Sequence, residues 1–128
     1  MPELPEVQTV VNQIRSDLLY EKVKSITPIW PKVFHNFTKQ KAKSEIYGEK
    51  IIDVKRRAKF IIIELKRGII AIHLRMTGKL YFLEDQNIPS KYATAYLTLE
   101  SGKKMIFDDV RKFGRFYLYK NIDPIDKR

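Results

Sequence analysis

Residues 60–74, FIIIELKRGIIAIHL, predict the centre of a β-sheet. The run 60–65 is apolar and of strand length, and Lys66-Arg67-Gly68 is a hairpin turn signal. The run 69–74 is apolar at nearly every position, which is typical of a strand buried on both faces. We therefore expect two antiparallel neighbours, the second of which is central in its sheet.

Shorter apolar or alternating runs on both sides of this hairpin predict further strands. In the run 93–99, alanine and leucine alternate with threonine and tyrosine, which predicts a strand with one buried face. Several short strands separated by turns favour an antiparallel two-sheet β-sandwich. The expected class is mainly β with flanking helices (α+β). The other predicted strands lie at 22–30, 51–54, 80–83, 104–108 and 115–119.

Two helices are predicted beside the strands. The first spans residues 5–19, where Pro5 suits the first turn and Glu6 the N-terminal end of the helix dipole. A short basic helix at 38–47 would stop at Gly48. The first helix would anchor the start of the chain, so that this start is not a loose tail. Its apolar face is formed by Val7, Val10, Val11, Ile14 and Leu18.

The composition indicates one basic domain that binds a polyanion. The 128 residues suit a single core, and 25 Lys and Arg against 15 Asp and Glu give a net charge of +10, which attracts nucleic acid first. Cysteine is absent and the two histidines are isolated, so neither disulfides nor a metal site is expected. Without a secretory pattern or a membrane-length apolar run, we expect a cytoplasmic or nucleoid-associated monomer with no membrane partner.

The first six residues, MPELPE, place a candidate nucleophile beside a carboxylate. Removal of Met1 would leave Pro2 with a secondary amine whose pKa, about 8, lies about two units below that of lysine. Such an amine can form a Schiff base with an aldehyde-like carbon. Glu3 is then a candidate general acid or base. If Met1 stays attached, the nitrogen is an amide and this chemistry is lost.

Two further segments carry residue types that bind nucleic acid. Residues 55–59, KRRAK, offer four cations for phosphates, and Lys59 borders an apolar run. In residues 73–79, HLRMTGK, Gly78 permits a sharp turn and Met76 is expected at a loop crest, where it could wedge between base pairs. His73 is expected to be hydrogen-bonded within the structure.

A fourth segment, DDVRKFGR at 108–115, combines a cation and an aromatic ring. Arg111 and Phe113 are two residues apart, so in extended backbone their side chains point the same way. Together they could fill a vacated base stack and hydrogen-bond an orphaned base. Asp109 is expected to orient the guanidinium of Arg111.

These segments resemble, in order, the N-terminal domain of formamidopyrimidine-DNA glycosylase, a family related to endonuclease VIII. Gln8 and Ala58 depart from residues frequent in that family. Its members continue into a helix-two-turn-helix region and a four-cysteine zinc finger. We therefore expect residues 1–120 to be the catalytic domain, and the polar residues 121–128, without a structural element, to begin a linker. Zinc is expected only in the region that would follow this linker. The matching motifs are MPELPEV, RRAKF, HLRMTG and DVRKFG at 1–7, 56–60, 73–78 and 109–114.

The resemblance implies base-excision repair of damaged double-stranded DNA by a bifunctional glycosylase and abasic-site lyase. It implies that Pro2 attacks C1′ of the damaged nucleotide, expels 8-oxoguanine or a formamidopyrimidine, and cuts the strand by β,δ-elimination through a Schiff base. It also implies proton transfer by Glu3, a supporting role for Glu6 and a phosphate contact by Lys59. The residues expected to bind DNA are Arg56, Arg57, His73, Met76, Asp109, Arg111 and Phe113.

Two other functions stay open. A non-catalytic nucleic-acid-binding module would use the same basic surface and would be indifferent to the removal of Met1. A ribosome-associated or structural β protein would have Met76, Arg111 and Phe113 scattered rather than gathered near Pro2.

Overall fold

The computed structural model describes residues 3–84 and 87–127 as two packed antiparallel sheets with helices beside them. The helices are α1 (Leu4–Leu18), α2 (Lys39–Glu45) and α3 (Asp123–Asp126), and a 3-10 turn covers Pro31–Val33. The strands are β1 (Val23–Pro28), β2 (Ile51–Arg57), β3 (Phe60–Leu65), β4 (Gly68–His73), β5 (Gly78–Leu83), β6 (Ala93–Leu99), β7 (Lys104–Asp109) and β8 (Arg115–Tyr119). One sheet has the order β1-β6-β7-β5 and the other the order β2-β3-β4-β8, so the predicted sandwich is confirmed.

The hairpin of β3 and β4 is buried on both faces, as the sequence predicted. Ile61 pairs with Ile72, and both lie in the main core between the two sheets. Ile62 pairs with Ala71, and both lie in a second apolar cluster on the opposite face. Because successive side chains of a strand point to opposite faces, only a continuous apolar run can serve two clusters.

The second apolar cluster is closed by the last described residues. Ile125 of α3 is 3% exposed and belongs to the cluster with Phe60, Ile62 and Tyr117. The prediction that residues 121–128 contain no structural element is therefore wrong for α3. Ile122 packs against this cluster and Ile125 within it, but two apolar residues three positions apart are too few to establish a helical period. The domain boundary and the linker stay predictions.

Strand β6 is buried on both faces, although the alternation predicted one. Thr94 and Thr98 are only 1% and 6% exposed. The hydroxyl of Thr94 donates to the carbonyl of Phe107 at 3.3 Å, and its own carbonyl accepts from the N–H groups of Ile29 and Trp30. A threonine whose hydroxyl has such a partner can be buried at little cost, so the face becomes covered.

Helix α1 runs antiparallel to β2. Its predicted apolar face is confirmed, since Val7, Val11, Ile14 and Leu18 are all buried. Near its C-terminus Arg15 pairs with Asp53, and nearer its start Gln8 accepts a hydrogen bond from Nε of Arg56 at 3.3 Å. The helix therefore begins beside the C-terminal end of β2.

Two loops connect the two sheets at this same end. The first crossover loop, residues 74–77, leads from β4 to β5, and the second, residues 110–114, leads from β7 to β8. Antiparallel pairing also brings the start of β3 to this end, because Phe60 pairs with His73. We call this end of the sandwich the loop end.

The carboxylate of Asp109 ties the two crossover loops together. It is 1% exposed and accepts three hydrogen bonds: from the hydroxyl of Thr77 at 2.5 Å, from the backbone N–H of Arg111 at 3.2 Å and from the N–H of Gly114 at 2.7 Å. The prediction that Asp109 orients the guanidinium of Arg111 is therefore wrong, since it binds the backbone there. A carboxylate suits this position because it offers acceptors only.

Two glycines allow both loops to approach one ring. A Cβ on Gly78 would lie 2.7 Å from Cε1 of Phe107, and one on Gly114 would lie 2.8 Å from Cε2 of the same ring. Gly78 also permits the sharp turn that was predicted. Its N–H donates to the carbonyl of Leu74 at 3.0 Å, and a Cβ on Gly78 would clash with that carbonyl oxygen, although its φ is not left-handed.

We expect Asp109→Asn to destabilise the protein by about 1–3 kcal/mol, the cost of a buried polar group without a partner. The amide has one acceptor oxygen, so its NH2 group would face one of the three donors. Urea unfolding measures the loss. Asp108→Asn is the control, because the side chain of Asp108 accepts, among the described residues, only from the hydroxyls of Tyr81 and Ser90, which can rotate to accept from an amide. Equal losses in both variants would contradict the role of Asp109.

We expect a second, acid-dependent loss of stability at the ion pair of Arg15 and Asp53. Partial burial opposes ionisation of Asp53, but the hydrogen bonds and charge of Arg15 and the N–H of Val54 hold its pKa below the ordinary 3.8. A lowered folded-state pKa means that the contribution is present above about pH 4 and is lost as the pH falls further. Because the pair is partly exposed, it contributes under about 1 kcal/mol.

Urea unfolding between about pH 6 and pH 2 checks this contribution. Asp53→Asn should be less stable at neutral pH and should lose less stability on acidification than the original chain. The same acid dependence in both proteins would contradict it.

Candidate nucleic-acid interface

Two of the four cations at residues 55–59 are paired within the chain. The Nζ of Lys55 lies 3.0 Å from a carboxylate oxygen of Glu64, and Nε of Arg57 lies 2.6 Å from one of Asp126 in α3. Their charges are thus partly neutralised in the absence of a ligand. Lys55 and Arg57 were both predicted to contact phosphates. To do so, each would have to exchange its carboxylate partner for a phosphate.

The other two cations lie at the turn between β2 and β3, Arg56 near the end of β2 and Lys59 in the turn itself. Arg56 donates from Nη1 to the carbonyl of Ala58 at 2.9 Å, besides its bond to Gln8. Ala58 has a φ of 53°, a left-handed conformation that glycine adopts freely and other residues uncommonly. Arg56 therefore stabilises the turn that carries Lys59. Within residues 3–84 and 87–127, Lys59 has no hydrogen bond or ion pair with another residue, so its ammonium is available to a ligand.

The start of α1 lies near this turn. Glu3 is the residue before the helix and its carbonyl accepts from the N–H of Val7 at 3.1 Å. The side chains of Glu3 and Glu6 are exposed. Gln8, bound to Arg56, lies five residues after Glu3, which is about 7.5 Å along a helix axis. Pro2, the predicted nucleophile, lies outside the described residues.

Met76, Arg111 and Phe113 are gathered at the loop end. Met76 and Phe113 are 55% and 47% exposed, and Nη1 of Arg111 lies 3.7 Å from the sulfur of Met76. The guanidinium carbon of Arg111 lies 5.0 Å from the centre of the Phe113 ring. The predicted proximity is confirmed, but not through extended backbone, since Lys112 between them has a φ of 58°. These three side chains are not scattered relative to one another, and their nearness to Pro2, which lies outside the described residues, stays a prediction.

His73 is held inside the structure, as predicted. It is 7% exposed, and its Nδ1 accepts a hydrogen bond from the N–H of Arg75 at 3.0 Å. Its ring packs edge-on against Phe60, with 5.0 Å between ring centres. His73 thereby fixes the start of the first crossover loop, and a direct contact with DNA stays a prediction.

Three residues of the loop end were missed by sequence analysis. Arg75 and Arg115 line a cavity of about 370 Å³ together with Met76 and Phe113, and Arg115 stacks on Trp30 at 4.9 Å from the ring centre. The only sign of these residues in the sequence is an arginine within or next to each of the two loop motifs. The contact with Trp30 depends on the fold, because it joins segments 85 positions apart along the chain.

The charge at the loop end is uncompensated. Among the described residues, none of Lys59, Arg75, Arg111 and Arg115 takes part in an ion pair. Unpaired cations around an exposed apolar tip attract phosphates, and each contact releases counterions. The ion pairs found are Arg15–Asp53, Lys41–Glu45, Lys55–Glu64, Arg57–Asp126, Arg67–Glu49 and Lys103–Asp17.

Neither a metal site nor a membrane span is found in the part of the chain that the structure describes. No three His, Asp or Glu side chains there are grouped to hold a metal ion. No helix there is both long and apolar enough to cross a bilayer. A four-cysteine zinc finger cannot be formed by this chain, which has no cysteine.

Comparison with known proteins agrees with the geometry. The family model of the formamidopyrimidine-DNA glycosylase N-terminal domain matches residues 1–116. Formamidopyrimidine-DNA glycosylase of Protochlamydia amoebophila is 38% identical over 127 residues, which cover 98% of this chain and 46% of that protein. The protein of the same name from Mycoplasma genitalium is 32% identical over 126 residues, covering 96% and 44%. The chain thus spans a little under half the length of these curated relatives.

Solved structures give the same result. The Lactococcus lactis protein in complex with DNA containing FAPY-dG superposes with a TM-score of 0.89 at 28% identity, covering 98% of this chain and 47% of that one. Its complex with DNA containing an abasic site gives the same values. The resemblance noted in the sequence is confirmed, and the chain belongs to the family of the formamidopyrimidine-DNA glycosylase N-terminal domain.

Proposed function

We propose that this chain is the catalytic N-terminal part of a base-excision repair enzyme, a DNA glycosylase and abasic-site lyase. Its substrate would be double-stranded DNA with an oxidised purine, either 8-oxoguanine or a formamidopyrimidine. The observation that carries the proposal is that unpaired Lys59 and the group Met76, Arg111 and Phe113 lie at the end where α1 begins. The Lactococcus relative, described in complexes with FAPY-dG and abasic-site DNA, supports it. Such an enzyme would act in the cytoplasm, at the nucleoid.

The nucleophile would be the amine of Pro2 after removal of Met1. Its nitrogen forms a bond to C1′ of the damaged nucleotide while the bond from C1′ to the base breaks, and the base leaves with that electron pair and takes up a proton. Opening of the sugar ring gives a cationic iminium, to which Glu3 transfers a proton at the ring oxygen. Loss of a C2′ proton then expels the 3′ phosphate, and loss of a C4′ proton expels the 5′ phosphate.

The DNA would be held open by the loop end. C1′ cannot be reached inside a stacked duplex, so the nucleotide must leave the stack at a cost of a few kcal/mol. Met76 and Phe113 would fill the vacated space, and Arg111 would hydrogen-bond the base left without a partner. Lys59 would bind the phosphate beside the lesion, with Arg56 supporting its turn. Glu6, in the first turn of α1, would support the pocket around Pro2.

The part of the relatives that this chain does not match affects how tightly DNA is bound. In the family, the helix-two-turn-helix region and the zinc finger follow the N-terminal domain and grip DNA. We propose that this chain by itself retains the amine chemistry, binds lesion DNA weakly, and contributes little to the choice between lesions. Any zinc would belong to the region that follows.

Borohydride trapping on an abasic-site duplex tests the proposed chemistry. A chain whose N-terminus is verified by mass spectrometry to be Pro2 should form a covalent adduct, because borohydride reduces the iminium to a stable amine. Pro2→Gly should form less adduct. Glu3→Gln should release 8-oxoguanine more slowly, by about 10²-fold or more, if it transfers the proton.

A chain that keeps Met1 is the matched control, since it differs only at the nitrogen. It should bind DNA with the same salt dependence and form no adduct. Equal trapping with and without Met1, or no adduct from the Pro2 chain, would overturn the lyase. Salt-sensitive binding alone would then indicate the non-catalytic nucleic-acid-binding module.

A separate comparison of duplex and single-stranded substrates tests the wedge. Phe113→Ala should lower trapping on an abasic-site duplex by about tenfold, because stacking on an aromatic ring contributes about 1–3 kcal/mol. On the single strand no pair needs opening, so the loss should be small. Tyr20→Ala, which removes an exposed ring at the opposite end, is the control. Equal losses on both substrates would contradict a wedge.

A further inference from the structure

A cavity of about 370 Å³ opens beside the two crossover loops. It is lined by Met76 and Phe113, which form its apolar side, and by Arg75 and Arg115, which bring two guanidinium groups to it. Since Met76 and Phe113 are also the exposed tip of the loop end, anything that meets the tip meets this cavity.

The guanidinium of Arg115 is held in place before any ligand binds. Its Nη1 donates to the carbonyls of Lys112 and Gly114 at 2.8 and 2.9 Å, and its guanidinium carbon lies over the Trp30 ring, 4.9 Å from the ring centre. A stacked and tethered arginine loses little rotamer freedom when it binds an anion. Its Nε and Nη2 have no partner among the described residues, so hydrogen-bonding capacity remains for a ligand.

Arg75 carries an unsatisfied donor. Its Nε is buried and has no hydrogen-bond partner in the described chain, and its backbone is left-handed with a φ of 57°. Its N–H donates to Nδ1 of His73, which holds the residue in that conformation. Buried donors without an acceptor are uncommon, and strained backbone is concentrated at sites that bind ligands.

No carboxylate in residues 3–84 and 87–127 forms an ion pair with either of these cations. Neither Arg75 nor Arg115 forms an ion pair with any described residue, and Asp109 uses its oxygens for the loops. Two like charges on one cavity are stabilised by an anion that both can contact. A phosphate suits them, since guanidinium groups match its oxygens with two parallel hydrogen bonds.

We propose that Arg75 and Arg115 together hold one backbone phosphate of bound DNA, next to the base step that Met76 and Phe113 enter. This inference rests on the proposed function, because it takes DNA as the ligand. It adds a phosphate site beside the wedge to the one at Lys59. The duplex would then be gripped on both sides of the opened step.

The salt dependence of binding to a duplex with a stable abasic-site analogue tests the site. The double variant Arg75→Gln/Arg115→Gln should bind about tenfold more weakly at low salt. It should also lower the slope of log K against log salt by about 0.9, the value for one phosphate. Arg115→Lys should keep the slope and bind more weakly than the original chain, since an ammonium retains the charge without the stacked fork. Thermal unfolding of each variant confirms that it is folded.

Lys66→Gln is the matched control, because it removes one exposed cation at the β3–β4 turn, at the opposite end of the sheet. It should leave the slope nearly unchanged. A slope change in the double variant no larger than in this control would overturn the inference. A fall of about 1.8 in the slope would also overturn the inference, because it would mean that the two arginines contact two separate phosphates.

Neutral methylphosphonate linkages locate the phosphate. With one such linkage at the contacted position, the original chain and the double variant should bind equally well, whereas at other positions the difference should persist. A loss that follows the identity of the opposite base instead would mean that the arginines contact a base edge, and would overturn a phosphate site.

The proposed function and this inference can fail separately. If trapping by the Pro2 chain succeeds and the slope does not change, only the phosphate site is wrong. If trapping fails while the slope changes as expected, the phosphate site is supported, but it belongs to a non-catalytic DNA-binding module. If the original chain binds no DNA even at low salt, both are wrong.

Discussion

The buried carboxylate of Asp109 is the contact on which the loop end depends. It joins Thr77 of one crossover loop to Arg111 and Gly114 of the other, and so connects the ends of four strands in two sheets. The wedge and the cavity are formed by side chains of these two loops. Their spacing is therefore set by one side chain that is almost completely buried, and a direct contact of Asp109 with DNA stays a prediction. A carboxylate with three donors is also rigid, which lowers the entropy lost on binding.

The loop end gathers cations that have no carboxylate partner. Among the described residues, Lys59, Arg75, Arg111 and Arg115 take part in no ion pair. They meet there because one end of the two antiparallel sheets collects the start of α1, the turn before β3 and both loops. A basic composition alone would have predicted adhesion to any polyanion. It is the position of the unpaired cations around an apolar tip that favours opened DNA.

Much of the fold could be predicted, because the signal was local. The run 60–74 and the face of α1 are continuous patterns that leave few alternatives. Helix α3 was missed because two isoleucines, Ile122 and Ile125, are too few to show a period. The burial of Thr94 was missed because a neighbouring segment covers it. For the site, the motifs predicted which residues gather but not how. Arg111 and Phe113 meet because Lys112 between them has a left-handed backbone, and Asp109 binds backbone N–H groups instead of a guanidinium. Both features depend on contacts that form only after folding.

The ion pair of Arg57 and Asp126 has a consequence for the chain beyond β8. While α3 stays docked, Asp126 neutralises a cation two positions from Lys59 and Ile125 closes the second apolar cluster. If α3 undocks, the turn gains a free charge and the cluster loses a buried side chain at the same time. The net charge presented by the basic turn and the packing of residues 123–126 are thus thermodynamically linked, so whatever displaces this segment also alters the electrostatic attraction of the domain for a polyanion.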